Sequence, residues 1–438
     1  MSTTARYVEQ FAAFSANGGG TAPAWLREVR RAAISEFESI GFPTPKDEDW
    51  HFTNAAPIAE TEFRLKKAAG AKPIGAAELT AFRFIAAWPT LVFVNGRYAP
   101  ELSDISHAGA GVRVMELHRA WREESALLER YLTRIASYGE RAFTALNTAF
   151  AHEGAVIHIA ADAAPAQPVH LLFVSTDAAE DGHAELRNLI VAEHGANAGV
   201  IESYVALGSP RYLTNAVTEI HLGEGATLRH VKVQRESDRA FHVHTVEAAQ
   251  EKDSHLQSFS FASGAALSRT NIYTVLGGPG SGATLNGLYI VGGEQHVDHQ
   301  TRIEHAAPNC FSRELYKGIL DGASHGVFNG KVYVRPEAQK TDGKQTNANL
   351  LLSERARIDT KPQLEIFADD VKCTHGATVG RLDQMALFYL ESRGIGAELA
   401  KRLLTYAFAA DVLETIDIAA VRMSLEALSL ARFAGAGV

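Results

Sequence analysis

The spacing of apolar positions changes character twice along this chain. After Pro23, the residues Trp25, Val29, Ala33 and Phe37 recur every fourth position, the period of one helix face, with proline where helices commonly start. GFPTPKDEDW at 41–50 then reads as a Gly/Pro break followed by an acidic, aromatic turn. A second helical tract, rich in Leu, Ala, Glu and Arg, spans 114–150, and the strand-like LVFVNG lies between the two tracts at 91–96. From 155 to 380 the pattern shortens to alternating or β-branched runs, among them VIHIA, VHLLFVS, TEIHLG, TLRHVKVQ, FHVHTVEA and KVYVRP. Gly, Asn, Asp and Ser turns separate them and leave little room for a helix. After Gly380 the helical period returns. Leu382, Met385 and Tyr389 begin one helix, Leu399, Leu403, Tyr406 and Ala410 mark a second, and Val421, Leu425, Leu428 and Phe433 a third. The short Gly394-Ile-Gly396 break makes the first two an antiparallel pair.

The turns in the middle vary one theme: GANAGVIE, GEGATLRH, KDSHLQSF and GSGATLNG. The apolar residues just after them, Val200, Leu228, Leu256 and Leu285, are 28, 28 and 29 residues apart. A near-constant period carried by short strands predicts a solenoid of parallel β coils, with a sandwich as the alternative. The expected organisation is a mostly helical region at 1–150, a β-solenoid core at 151–380 and a helical module at 381–438. The outer apolar positions of that module either seat a partner or cap the last coil.

Composition narrows the function classes. The chain has 438 residues, 46% hydrophobic and 21% charged, enough for a large core and two or three domains. A net charge of −9 argues against nucleic-acid binding, and no apolar run is long enough to span a membrane. Only Cys310 and Cys373 are present, so no disulfide framework is expected. With no secretory or transit pattern at the N-terminus, the expectation is a cytoplasmic protein with reduced thiols.

Familiar catalytic motifs are missing. Gly277–Thr284 has the glycine spacing of a phosphate-binding loop, but Ala283 stands where the lysine is needed and strands flank it on both sides. A turn between coils is expected there. The run His296, Asp298, His299 and His305 sends His296 and Asp298 to one face of a strand and His299 to the other, so polar positions on the solenoid surface explain it better than a metal site. Cys373 and His375, two residues apart on an extended segment, project from one face and could address one metal or one sulfur atom. The alternative is a structural cysteine beside an unrelated surface histidine. An iron–sulfur cluster needs four protein ligands, mostly thiolates, and two cysteines cannot supply them. If this chain touches a cluster, another chain must complete its shell.

Several long blocks resemble the SufB/SufD family of iron–sulfur cluster assembly scaffolds. They are KDEDW at 46–50, HVDHQTRIEHAAPNCFSRELYKGIL at 296–320, FNGKVYVRPEAQKTDGKQTNANLLLS at 328–353, EIFADDVKCTHGATVG at 365–380 and LFYLESRGI at 387–395. The resemblance implies a right-handed parallel β-helix flanked by helical regions and, given the few cysteines, a chain more similar to SufD than to SufB. It implies a non-catalytic scaffold that pairs with SufB and carries SufC, whose ATPase activity accounts for the missing phosphate loop. His375, with Cys373 as its motif neighbour, is then the ligand brought to a transient cluster at the SufB interface. No cofactor is stably bound, although a flavin on the complex is allowed. Leu382, Met385, Phe388, Tyr389, Leu390 and Arg393 form the SufC-docking element. The rival readings are a carbohydrate-active β-helix enzyme, for which no paired acidic motif is seen, and a homodimeric scaffold acting without its paralogue.

Overall fold

The structure is a computed structural model describing residues 3–17, 21–65 and 74–433. Its middle is a β-solenoid of about eight coils, each giving one strand to each of two 10-stranded sheets. The first sheet steps through alternate strands from Ala155–Ile159 to Arg357–Ile366, and the second from Val169–Ser175 to Lys372–Gly380. Neighbouring coils pair in parallel, which a sandwich of hairpins would not do.

The sequence period reappears as register, with one adjustment. Leu228 lies opposite Leu256, whereas Val200 lies opposite His230 and Leu285 opposite Ser258, each two residues further along. Two residues is the side-chain period of a strand, so all four residues still point into one fully buried core. Gly277–Ser281 is a turn between the strands Leu267–Leu276 and Gly282–Val291, as expected. Gly280 sits there at φ +76°, where a Cβ would lie 2.1 Å from Asp253 Oδ1.

Both outer faces of the solenoid are covered. Helix Ala24–Ile40 packs on helix Ala142–Ala149, which lies against strands Gly182–Ala192 and Tyr212–Leu222 of the first sheet. Pro23 caps the first of these helices one residue before its first turn. The helical tract expected at 114–150 is instead strand Val112–Glu116, two one-to-two-turn helices, a loop and helix Ala142–Ala149. The loop departs from helix because the N–H groups of Thr133, Ile135 and Ala136 all donate to the Glu219 carboxylate on the sheet.

At the other end of the chain, helices Ala397–Leu413 and Ala419–Phe433 follow helix Gln384–Ser392. Val412, Leu413, Val421 and Leu425 cover Ile201, Val231, Phe259 and Ile290 on the outside of the second sheet. The helical module therefore lies along the flank of the solenoid and does not cap its last coil. Its seat is the row of apolar side chains that point outward from that sheet.

Candidate functional site

The C-terminal end of the solenoid is open. Among the described residues, strand Lys372–Gly380 pairs only with Asp342–Leu351, and Arg357–Ile366 only with His325–Val334, so each is the last strand of its sheet. Their outer edges carry backbone groups with no ladder partner. Register places Cys373 over Gly343 and His375 over Gln345. In the coil below, Gly343 and Gln345 point inward, so Cys373 and His375 continue the interior face at an end where nothing covers it.

The two side chains differ in setting. Cys373 is half-buried and packs near Val332, Leu364 and Val371. Burial pushes its thiol above its ordinary value, only partly offset by a hydrogen bond involving the Gly343 backbone. A thiol raised in this way is a poorer nucleophile than a free cysteine. His375 is exposed, and its ring has no hydrogen-bond partner among the described residues. Gly376 has no atom within 4 Å of where a Cβ would stand, so the approach to His375 is unobstructed from that side. One imidazole and one thiol are present here, half a cluster shell at most.

Beneath this pair runs a row of buried polar groups that the sequence pattern hid. In strand Thr227–Glu236, Val231 and Val233 face outward under the helices, while His230, Lys232, Gln234 and Glu236 alternate with them and face inward. Glu202 is fully buried and accepts from His230 Nε2 at 3.0 Å, the Tyr204 hydroxyl at 2.6 Å and the Thr218 hydroxyl at 2.8 Å. Burial raises its carboxyl, and the interactions with His230, His244 and the Tyr204 hydroxyl together outweigh burial and hold it low. Lys232 donates to Thr270 at 2.7 Å and is pushed down to about 7 by burial. Nearer the open end, Glu314 is pushed up to about 7 by burial and accepts from Gln345 at 2.6 Å. Gln345 is the strand neighbour of His375. A one-residue slip would bring Val231 and Val233 inside and turn Lys232 against the apolar helices, so the row also specifies register.

The HVDH run is not a solvent-facing ladder, as the sequence suggested. Asp298 is buried outside the sheet, beneath the N-terminal region. It accepts from the Thr53 hydroxyl and from Arg269 Nη1, each at 2.5 Å. Arg269 also donates to the Asp49 carbonyl and stacks 4.0 Å from the Trp50 ring centre. KDEDW and HVDH, 250 positions apart as motifs (46 to 296), therefore meet and clamp the N-terminal region onto the coils. His299 points the other way, into the core, where burial pushes it down to about 3.

The candidate docking element divides by exposure. Met385, Phe388 and Tyr389 are 73%, 66% and 58% exposed, and Leu399 and Leu403 on the next helix extend the apolar surface. Arg393 stacks on Tyr389 at 5.3 Å. Leu390 is half-buried, and Leu382 packs toward the solenoid flank and lies off the exposed face. Asp383 caps the first helix, accepting the Met385 N–H at 2.8 Å. Among the described residues, no helix is long and apolar enough to cross a membrane.

Comparison with known proteins agrees with this architecture. Residues 1–171 match the family described as "SufBD protein N-terminal region", and residues 173–408 match "SUF system FeS cluster assembly, SufBD core domain". The chain is 34% identical to a Synechocystis protein named as an iron–sulfur cluster assembly SufBD family protein, over 92% of this chain and 90% of that one. It is 35% identical to the iron–sulfur cluster assembly protein SufD of Escherichia coli, over 87% of each chain. It is 29% identical to SufD of Bacillus subtilis, over 92% of this chain and 93% of that one. With these matches covering both the helical start and the coils that end at Cys373 and His375, the chain belongs to the SufBD family of iron–sulfur cluster assembly proteins.

Proposed function

We propose that this chain is a SufD-like, non-catalytic scaffold whose open solenoid end pairs with a SufB-type chain in the cytoplasm. His375, assisted by Cys373, contributes a ligand to a cluster that forms transiently at that junction, the remaining ligands coming from the partner. The cluster is cargo, not a resident cofactor. A SufC-type ATPase docks on the exposed apolar surface of Met385, Phe388, Tyr389, Leu390 and Arg393, with Leu382 anchoring that element to the flank. Dimerisation of two such ATPases would strain the junction and open the site, the junction itself being the two-state element. One observation carries this reading: His375 lies on an edge strand whose outer side has no neighbouring strand, and its ring has no hydrogen-bond partner among the described residues. A second copy of this chain could pair the same edges, so a homodimer is the alternative assembly.

Anaerobic iron and sulfide counts on the reconstituted complex test it. His375→Ala is expected to lower cluster yield by about tenfold or more while the complex stays assembled, the usual scale for losing groups that hold a metal. Full-rate cluster assembly by His375→Ala would sink the ligand role. Retention of the ATPase by a chain ending at residue 381 would sink the docking assignment.

A further inference from the structure

We propose a second metal site, unrelated to the open end, at His118, His152 and Glu153: a seat for one divalent transition-metal ion of the Zn2+ class. Each of these residues offers a ligand atom, and the three atoms lie within 4.8 Å of one another. His118 stands on the short helix Leu117–Glu123, and His152 and Glu153 on the link from helix Ala142–Ala149 into the first coil. An ion here staples that helix to the chain entering the solenoid.

The geometry of the two imidazoles is the first argument. His118 Nε2 lies 2.8 Å from His152 Nε2 and 3.1 Å from His152 Nδ1, with the rings nearly perpendicular. An N–H···N bond aims along one lone pair at one nitrogen. The 2.8 Å Nε2–Nε2 separation is instead close to the spacing of two nitrogens held at about 2.0–2.1 Å by one ion. Both rings are held in place: Trp121 stacks on His118 at 4.4 Å, and Phe14 meets His152 edge-on at 5.3 Å.

A cavity of about 20 Å3 that borders His152 and Glu153, though not His118, is the second. It is lined by His152, Glu153, Asn95, Arg97, His183 and Glu185. That is room for one water, the natural fourth ligand of a three-residue site. The Glu153 oxygens already accept from Arg97 Nη1 at 3.0 Å and the Tyr98 N–H at 3.2 Å, leaving each a further lone pair.

Charge selects the kind of ion. Arg30, Arg97 and Arg122 act on the histidines, opposed by Glu116, Glu153 and Glu185 nearby. A hard cation held by charge alone, such as Ca2+ or Mg2+, finds little net attraction and too few oxygens. An ion that binds through imidazole lone pairs depends less on that balance.

The test uses the full chain, stripped with chelator and carrying Cys373→Ala and His375→Ala so that the open end cannot compete. Co2+ is the probe, because its visible absorption reports nitrogen and oxygen ligation directly. One equivalent of Co2+ is expected, displaced by one equivalent of Zn2+, and Zn2+ is expected to raise the thermal midpoint. Adding His118→Ala is expected to weaken binding by more than about tenfold and abolish the thermal shift, with the metal-free midpoint little changed. Should His118→Ala fail to fold, Glu153→Gln serves, with weakened binding and an altered Co2+ spectrum expected. Equal binding with and without these substitutions, or no Co2+ bound by the background chain, overturns the site.

Discussion

At its N-terminal end, each sheet of the solenoid is given a neighbour before the coils begin. Val112–Glu116 pairs antiparallel with Ala155–Ile159, and Thr90–Val94 pairs with Val169–Ser175 and then with Arg97–Tyr98. The helices of the N-terminal region lie over that end of the first sheet, and the Glu219 carboxylate ties down the loop between them. At the C-terminal end the last two strands have no further neighbour among the described residues, and Val379 and Phe367 are 50% and 57% exposed. The same coil thus ends in two ways. A bare, extended edge invites pairing with another chain, so natural folds usually cover or blunt it. Covering one end and leaving the other bare, at the very strand that carries Cys373 and His375, separates the part that holds the fold together from the part proposed to meet a partner.

The largest expected effect breaks the covered side. Arg187 is fully buried and donates to Glu219 Oε2 at 3.0 and 2.8 Å from Nε and Nη2. Arg187→Met leaves the Glu219 carboxylate buried beside the 133–136 loop with its charge unpaired. Urea unfolding should show a loss of about 3–5 kcal/mol. If the loss is no larger than that of an exposed surface substitution, the N-terminal region is not what secures the solenoid.

An intermediate effect comes from pH. Burial pushes His299 down to about 3 and His305 down to about 4, and drives His244 well below its usual value. Their folded-state values are depressed, so the stability they contribute is present above the ordinary value of about 6.5. It is lost as pH falls toward about 3–4, each unit costing about 1.4 kcal/mol per group. Unfolding midpoints measured down this range should drop steeply. His299→Gln should flatten the drop.

The smallest effect on stability sharpens the contrast. Val379→Lys places a charge on the bare edge strand and should change unfolding free energy by no more than about 0.5 kcal/mol. Association with a SufB-type partner, or with a second copy, should nonetheless weaken by about tenfold in sedimentation, equivalent to about 1.4 kcal/mol. A large loss of stability with unchanged association would mean that this edge is part of the core.

Parts of this could be read from residues alone. Short strands, recurrent turns and a period of 28 to 29 residues named the solenoid, because each coil must return to the same place to bury its apolar face. The exact register could not be read, since turns of unequal length shift it by two residues without changing which face is buried. The Cys373–His375 pair was legible because a strand sends alternate side chains to one face. The buried row at His230, Lys232, Gln234 and Glu236 was not. A strand that alternates Val with charged residues reads as apolar-in and polar-out, and here the helices covering the sheet reverse it.

Sequence by itself determined the repeat, the helical flanks, the spacing of the pair at the open end and the shortage of thiols that keeps this chain from completing a cluster shell alone. Tertiary structure decided which face of each strand is inside, which motifs meet across the chain and which strands are left without neighbours. The reason is physical. Periodicity is a local consequence of backbone geometry, whereas burial on both faces and the bareness of an edge depend on what other segments of the chain come to rest against them.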